Sequence, residues 1–278
     1  MPIIELDRVG LFYTEEGAAG ASSFPLLLVH GWGGAGDQWA GMLPYLDSAR
    51  RVIVPDLRGH GASRSQWGNG DWREGKVRDA DFTPSGFADD LAEMVEKLGT
   101  GPVVAVGHSM GGQVVTALAV RRPELVRALI VLDPAYGACD DEIARIPGEQ
   151  AALRTEGSAW AARFVAGAFS GYAAPGLRER EQRLMESTDA RVLAAARDGM
   201  YLTPDSFGAR RATAAYLARV EVPTLGLYSN DEAADWFRER GLRHAESAVE
   251  VIPQVGHYLQ IEKPQVVAER IKSFIARL

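Results

Sequence analysis

Ser109 stands in Gly107-His108-Ser109-Met110-Gly111-Gly112, directly after the apolar run Val103-Val104-Ala105-Val106 and before a segment of helical character. A G-x-S-x-G between strand and helix is a turn so tight that only glycines fit beside the serine, whose backbone is strained. The hydroxyl then stands clear at a sheet end, at the N-terminus of a helix whose dipole favours developing negative charge. That arrangement suits attack of a serine oxygen on an electrophilic carbon, and such an oxygen needs a base. Among the histidines, His257 follows the last strand-like run, in Gln254-Val255-Gly256-His257-Tyr258, and lies downstream of the serine. His30, His60 and His108 sit in turns beside glycines, where hydrogen bonds that brace the backbone are the expected role. His244 falls on a charged surface segment.

Attack on a carbonyl also builds negative charge on oxygen, which two backbone N–H groups can receive. One belongs to the residue after the nucleophile, Met110, and the other to a loop after an early strand. His30-Gly31-Trp32-Gly33-Gly34 follows Leu26-Leu27-Leu28-Val29 and offers the Trp32 amide. Donors of this kind contribute on the order of 2.7–4 kcal/mol each.

These residues must be held by a scaffold. Short β-branched or aliphatic runs at 3–6, 11–14, 26–29, 52–55, 103–106, 129–132, 225–228 and 249–252 read as strands. The middle runs are apolar throughout, as expected of strands covered on both faces in a parallel sheet. Helices are expected over 35–46, 84–98, 110–121 and 264–277. Alternating strands and helices predict a doubly covered α/β sheet. Residues 138–217 contain no strand pattern and read as a helical insertion after the sixth strand, leaving a core of 1–137 and 218–278. Residues 64–81 are polar, with two tryptophans, and form a connection long enough to suggest function.

Composition narrows the class. With 278 residues, 46 % apolar and 24 % charged, the chain is ordinary globular material, not disordered, collagen-like or coiled coil. A net charge of −7 argues against nucleic acid or an anionic membrane as partner. The single cysteine, Cys139, allows no internal disulfide, and no cysteine cluster suits zinc. No H-E-x-x-H pair and no phosphate-cradling glycine loop is present, so no metal or cofactor is expected. The start, Met1-Pro2-Ile3-Ile4-Glu5, has neither the basic residues nor the apolar run of a signal peptide, and no run is long enough to span a membrane. The expected location is the cytoplasm.

His30-Gly31-Trp32-Gly33-Gly34, then Asp56-Leu57-Arg58-Gly59-His60-Gly61-Ala62-Ser63, then the Ser109 turn, then the stretch from Val255 to Pro264 together resemble the α/β-hydrolase family. The resemblance implies an eight-stranded, mostly parallel sheet and makes 138–217 a helical cap over the site. It also implies a carboxylate that orients His257. The family most often puts this acid at the end of a G-x-x-D turn after the seventh strand. Here that turn reads Ser229-Asn230-Asp231-Glu232, with serine in place of glycine. A less common arrangement, in a subgroup of small esterases, puts the acid directly after the sixth strand, where Asp133 lies. Asp133 is therefore the first candidate, with Glu232 and Asp231 as alternatives; each also suits a plain turn or helix cap.

The serine argues against the dehalogenase and epoxide hydrolase chemistries, for which the resemblance implies an aspartate at this turn. The expected reaction is acyl transfer to water through a serine ester, on a small or medium apolar ester. A lactone is the alternative substrate, and a carbon–carbon bond cleaved in a dienoic keto acid a third. A non-catalytic ligand-binding member of the fold would have no use for a strained serine turn. Candidate substrate contacts are Trp32, Tyr136, Trp160, Phe164 and Tyr258, with Met110, Phe169, Tyr172 and Tyr201 behind them. Spaced as Trp160 and Phe164 are, such rings also serve as the interior of a cap. Arg154, Arg163, Arg178, Arg180 and Arg183 suit a solvated helix face.

Overall fold

The structure is a computed structural model that describes residues 2–17, 24–66 and 78–278. Its strands are β1 (Ile3–Glu5), β2 (Gly10–Glu16), β3 (Leu26–Val29), β4 (Val52–Pro55), β5 (Val103–His108), β6 (Val126–Leu132), β7 (Thr224–Tyr228) and β8 (Ala248–Val251). They form one sheet in the order β1-β2-β4-β3-β5-β6-β7-β8. The β1/β2 and β2/β4 pairs are antiparallel and all pairs from β4 to β8 are parallel. The C-terminal ends of β3, β5, β6 and β8 therefore point the same way, and the loops carrying Trp32, Ser109, Asp133 and His257 converge at one edge.

Strand residues alternate between two apolar layers, as the two-residue period of a strand requires. Leu27 and Val29 join one layer with Val114, Leu118 and Phe87; Leu26 and Leu28 join the other with Trp39, Ile271 and Phe274. The first layer is covered by α1 (Pro84–Lys97) and α2 (Met110–Arg121). Thr83 starts α1 by accepting the Gly86 N–H, and Pro84 supplies the preset first turn. Between β6 and β7 come five helices: α3 (Asp140–Glu156), α4 (Ser158–Ala166), α5 (Leu177–Glu186), α6 (Ala190–Tyr201) and α7 (Arg210–Leu217). A parallel bridge between Ala138 and Ala209 ties both ends of this stretch together. The chain ends with α8 (Asp231–Arg240), α9 (Leu259–Glu262) and α10 (Pro264–Ile275), the last covering the second layer.

The helix expected over 35–46 is absent. Two short 3-10 turns, Gly36–Trp39 and Leu43–Tyr45, stand there instead. Pro44 lacks an N–H and Gly41 is a poor helix former, so the apolar spacing of Trp39 and Met42 buries two side chains without a continuous helix. Of the connection at 64–81, residues 67–77 lie outside the described residues. Among the described residues no helix is long and apolar enough to cross a membrane.

Candidate active site

Ser109 joins β5 to α2 with φ 53° and ψ −118°, in the left-handed region that serine rarely enters. Neighbouring glycines make this possible. A Cβ on Gly107 would lie 2.2 Å from the Gly111 carbonyl oxygen, and one on Gly111 would lie 2.4 Å from that of Val29. The turn is held by the Ser109 N–H donating to the Leu132 carbonyl at 3.0 Å, and by the Ala135 N–H donating to the Ser109 carbonyl at 3.0 Å. Ser109 is thus pinned to the end of β6, immediately before Asp133.

Asp133 is nearly buried, 8 % exposed, and also has a positive φ, 37°. Its carboxylate receives three donors. The Ser229 N–H reaches Oδ1 at 2.9 Å, the Ser229 hydroxyl reaches Oδ2 at 2.6 Å, and His257 Nδ1 lies 3.3 Å from Oδ2. A proton on Nδ1 pointing at Asp133 leaves Nε2 as the basic lone pair. The two alternative acids are solvent-exposed: Glu232 stands beside Arg210 at 3.4 Å, facing the cavity that Asp133 and His257 also line, and Asp231 is the first residue of α8. Ser229 is the site residue that the sequence reading overlooked. Its signal was the serine standing where the related turn carries glycine. A cavity of about 450 Å³ opens beside the pair, with Tyr136, Tyr228, Arg210 and Trp236 among its walls.

His108 donates from Nε2 to the His257 carbonyl at 2.8 Å, and burial holds its pKa far below the ordinary histidine value. His30 accepts the Leu57 N–H on Nε2 at 2.9 Å and donates from Nδ1 to the Gly31 carbonyl at 2.8 Å, fixing the loop that carries Trp32. His60 Nδ1 donates to the Arg58 carbonyl at 2.9 Å. Burial lowers His30 to about 4 and His60 to about 3. A Cβ on Gly31 would lie 3.1 Å from the Ser109 Cβ, so the glycine loop runs directly past the nucleophile candidate. Met110 is the first residue of α2, where helix geometry leaves N–H groups without an intrahelical partner.

The aromatic candidates do not form one cluster. Trp32 is 8 % exposed, donates from Nε1 to the Leu193 carbonyl on α6 at 2.9 Å, and meets Phe164 edge-on at 6.1 Å. Trp160 stacks on Phe164, and the Arg197 guanidinium lies over all three rings at 4.8–5.5 Å. Arg197 is buried and paired with Glu149, while its Nε has no partner. Burial pulls its pKa down, against the opposing pull of Glu149. Sequence reading passed over Arg197; the signal was one charge inside the apolar stripe of Val192, Leu193, Ala196 and Met200. Tyr258 stacks on Phe169 at 4.6 Å. Tyr136 turns inward, its hydroxyl engaged with Thr116 and the Gly112 carbonyl, its ring stacked on Phe237 at 5.9 Å. Tyr172 is exposed. Among the described residues no group of three or more His, Cys, Asp or Glu is placed to hold a metal.

Comparison with known proteins identifies the family of the fold. Residues 25–193 match the family model described as alpha/beta hydrolase fold. A bifunctional esterase/perhydrolase from Acinetobacter calcoaceticus is 30 % identical over 254 residues, covering 86 % of this chain and 85 % of that protein. A thermophilic esterase from Thermogutta terrifontis is 27 % identical and superposes with a TM-score of 0.78 over 97 % of this chain and 94 % of that one. The enol-lactonase of Burkholderia xenovorans LB400 shares the fold, with a TM-score of 0.80 at 19 % identity, over 99 % and 100 % of the two chains. With its sheet order, its serine turn and these relatives, the chain belongs to the α/β-hydrolase family and is a hydrolase.

Proposed function

We propose that this hydrolase cleaves a carboxylic ester through an acyl-enzyme on Ser109. His257 Nε2 takes the hydroxyl proton as Ser109 Oγ bonds to the carbonyl carbon, and the carbonyl electron pair moves onto oxygen. The N–H groups of Trp32 and Met110 receive that oxyanion. When the intermediate collapses, the bond to the alcohol oxygen breaks and His257 returns the proton to the leaving group. Water then attacks the acyl carbon with His257 again as base, and the acid departs from a regenerated serine. Asp133 keeps Nδ1 protonated and stabilises the imidazolium.

The observation that carries this reading is the buried Asp133 carboxylate holding His257 by Nδ1, at the strand end that also anchors Ser109. The helices of 138–217 act as a cap. Leu193 accepts from Trp32 and Ala168 accepts from His257, so the insertion lies against both functional loops. The rings of Trp32, Trp160, Phe164 and Tyr258 suit a small or medium apolar substrate. The activity of the Acinetobacter calcoaceticus relative supports an ester. A lactone presents the same carbonyl to the same groups and differs only in that its alcohol stays tethered.

The test is hydrolysis of short- and medium-chain acyl esters and simple lactones by the wild type beside Ser109→Ala. The expected result is turnover that falls by at least about a thousandfold in the variant. Retention of more than about a tenth of the rate contradicts the assignment.

A further inference from the structure

Three consecutive residues that follow α4 each engage the loop that carries His257. The Ala168 carbonyl accepts the His257 N–H at 2.7 Å. The Phe169 ring stacks on Tyr258, 4.6 Å between centroids and 12° from parallel. The Ser170 hydroxyl donates to Glu262 Oε2, and the Ser170 N–H lies 3.3 Å from Oε1 of the same carboxylate. Glu262 also accepts the Gly256 N–H on Oε1 at 3.0 Å. One carboxylate therefore gathers donors from Gly256 in the His257 loop and from Ser170, 92 residues from Glu262 in sequence, with the charge-assisted strength of such bonds. The approach is close enough to require Gly256: a Cβ there would lie 2.5 Å from the Ala168 oxygen, 2.5 Å from the Ser170 nitrogen and 2.7 Å from Glu262 Oε1.

The consequence for His257 is specific. Its N–H is held by Ala168, its carbonyl by His108 Nε2 at 2.8 Å, and its side chain by Asp133. The first of these restraints comes from the inserted helices, and the other two from the sheet. Glu262 takes no part in the acyl transfer described above; its carboxylate is engaged by Ser170 and Gly256.

We propose that Glu262 is a positioning residue that clamps the 168–170 segment onto the His257 loop, so that docking of the cap sets the aim of the base. The proposal rests on the role of His257 in acyl transfer. Loosening the clamp rotates the imidazole relative to Ser109 and slows the chemical step, while substrate contacts elsewhere in the cap stay in place.

The experiment uses full-length Glu262→Ala, Glu262→Gln, Ser170→Ala and the double variant Glu262→Ala/Ser170→Ala. For each, kcat and KM are measured on the best ester of the panel, or the limiting rate and half-saturation of Ser109 phosphonylation. Thermal melts accompany both. Glu262→Ala is expected to lose about ten- to hundred-fold in the limiting rate, as a misplacement near 1 Å would cause, with KM within about threefold. Glu262→Gln recovers most of the rate, since its amide oxygen still accepts from Gly256 and its NH2 can donate to Ser170. Ser170→Ala loses part of the rate, and adding it to Glu262→Ala costs nothing more. Unchanged limiting rates in Glu262→Ala and Ser170→Ala overturn the clamp, as does a loss confined to KM or one that follows the unfolded fraction. Should Glu262→Ala fail to fold, Ser170→Ala and Glu262→Gln decide alone: the clamp requires the first to be slowed and the second nearly intact. If the wild type neither turns over an ester nor labels at Ser109, the reading of the whole site fails and takes the clamp with it. A wild type that labels, beside variants that label equally fast, removes the clamp alone.

Discussion

Asp133 works by the company it keeps. Two donors from Ser229 fix the carboxylate in place, with Oδ2 facing His257 Nδ1. Asp133→Asn can instead present an NH2 to the ring and favour the wrong tautomer; kcat is expected to fall by about 10³–10⁴-fold. Glu232→Gln, which alters an exposed contact with Arg210 on the cavity wall, is expected to stay within about twofold. Equal losses in steady-state assays of the two would contradict the choice of Asp133. Ser229→Ala removes one donor to a charged acceptor and is expected to lower kcat by about tenfold. The residues of the serine turn and the His257 loop were legible because each lies in one short contiguous motif. The acid was legible only as a choice among three. Which of them meets His257 depends on strand register, and register is a property of the assembled sheet. Arg197 escaped notice for a similar reason, because it lies on α6 while the rings around it come from the glycine loop and α4.

At the level of elements, the serine turn is a packing problem as much as a chemical one. Gly111 lets the start of α2 pass against β3, where a Cβ would meet the Val29 and His30 carbonyl oxygens at 2.4 and 2.5 Å. Gly111→Ala must push these backbones apart and is expected to destabilise the fold by about 2–3 kcal/mol, read as a lowered urea midpoint. An unchanged midpoint would mean that the turn has room for a methyl group. The strands were readable from their apolar runs because burial on both faces leaves a continuous signature. The helix expected over 35–46 was not, since the same apolar spacing serves two 3-10 turns once Gly41 and Pro44 interrupt it. Helical character in 138–217 was evident from composition. The contacts of 168–170 with the His257 loop were hidden, because their partners are distant in sequence and meet only through folding.

For the whole molecule, buried histidines couple stability to pH. His30 and His60 are held neutral by burial, at about 4 and about 3, against roughly 6.5 when unfolded. Between these values the unfolded chain binds the extra protons, so their contribution is complete above pH 6.5 and is lost as pH falls through 4. Asp56, Asp90 and Glu181, raised by burial, act in the opposite sense. His60→Gln isolates the histidine part: the decline of the urea midpoint from pH 7 to pH 5 should be shallower in the variant than in the wild type. An equally steep decline would place the coupling elsewhere. The central claim, that Ser109 is a nucleophile driven by His257, is tested most directly by intact-mass spectrometry after exposure to a serine-directed phosphonate. The account predicts a single adduct, mapped to Ser109, absent from Ser109→Ala and formed at least about a hundredfold more slowly in His257→Ala. An adduct on another residue, or labelling that is indifferent to His257, would contradict it.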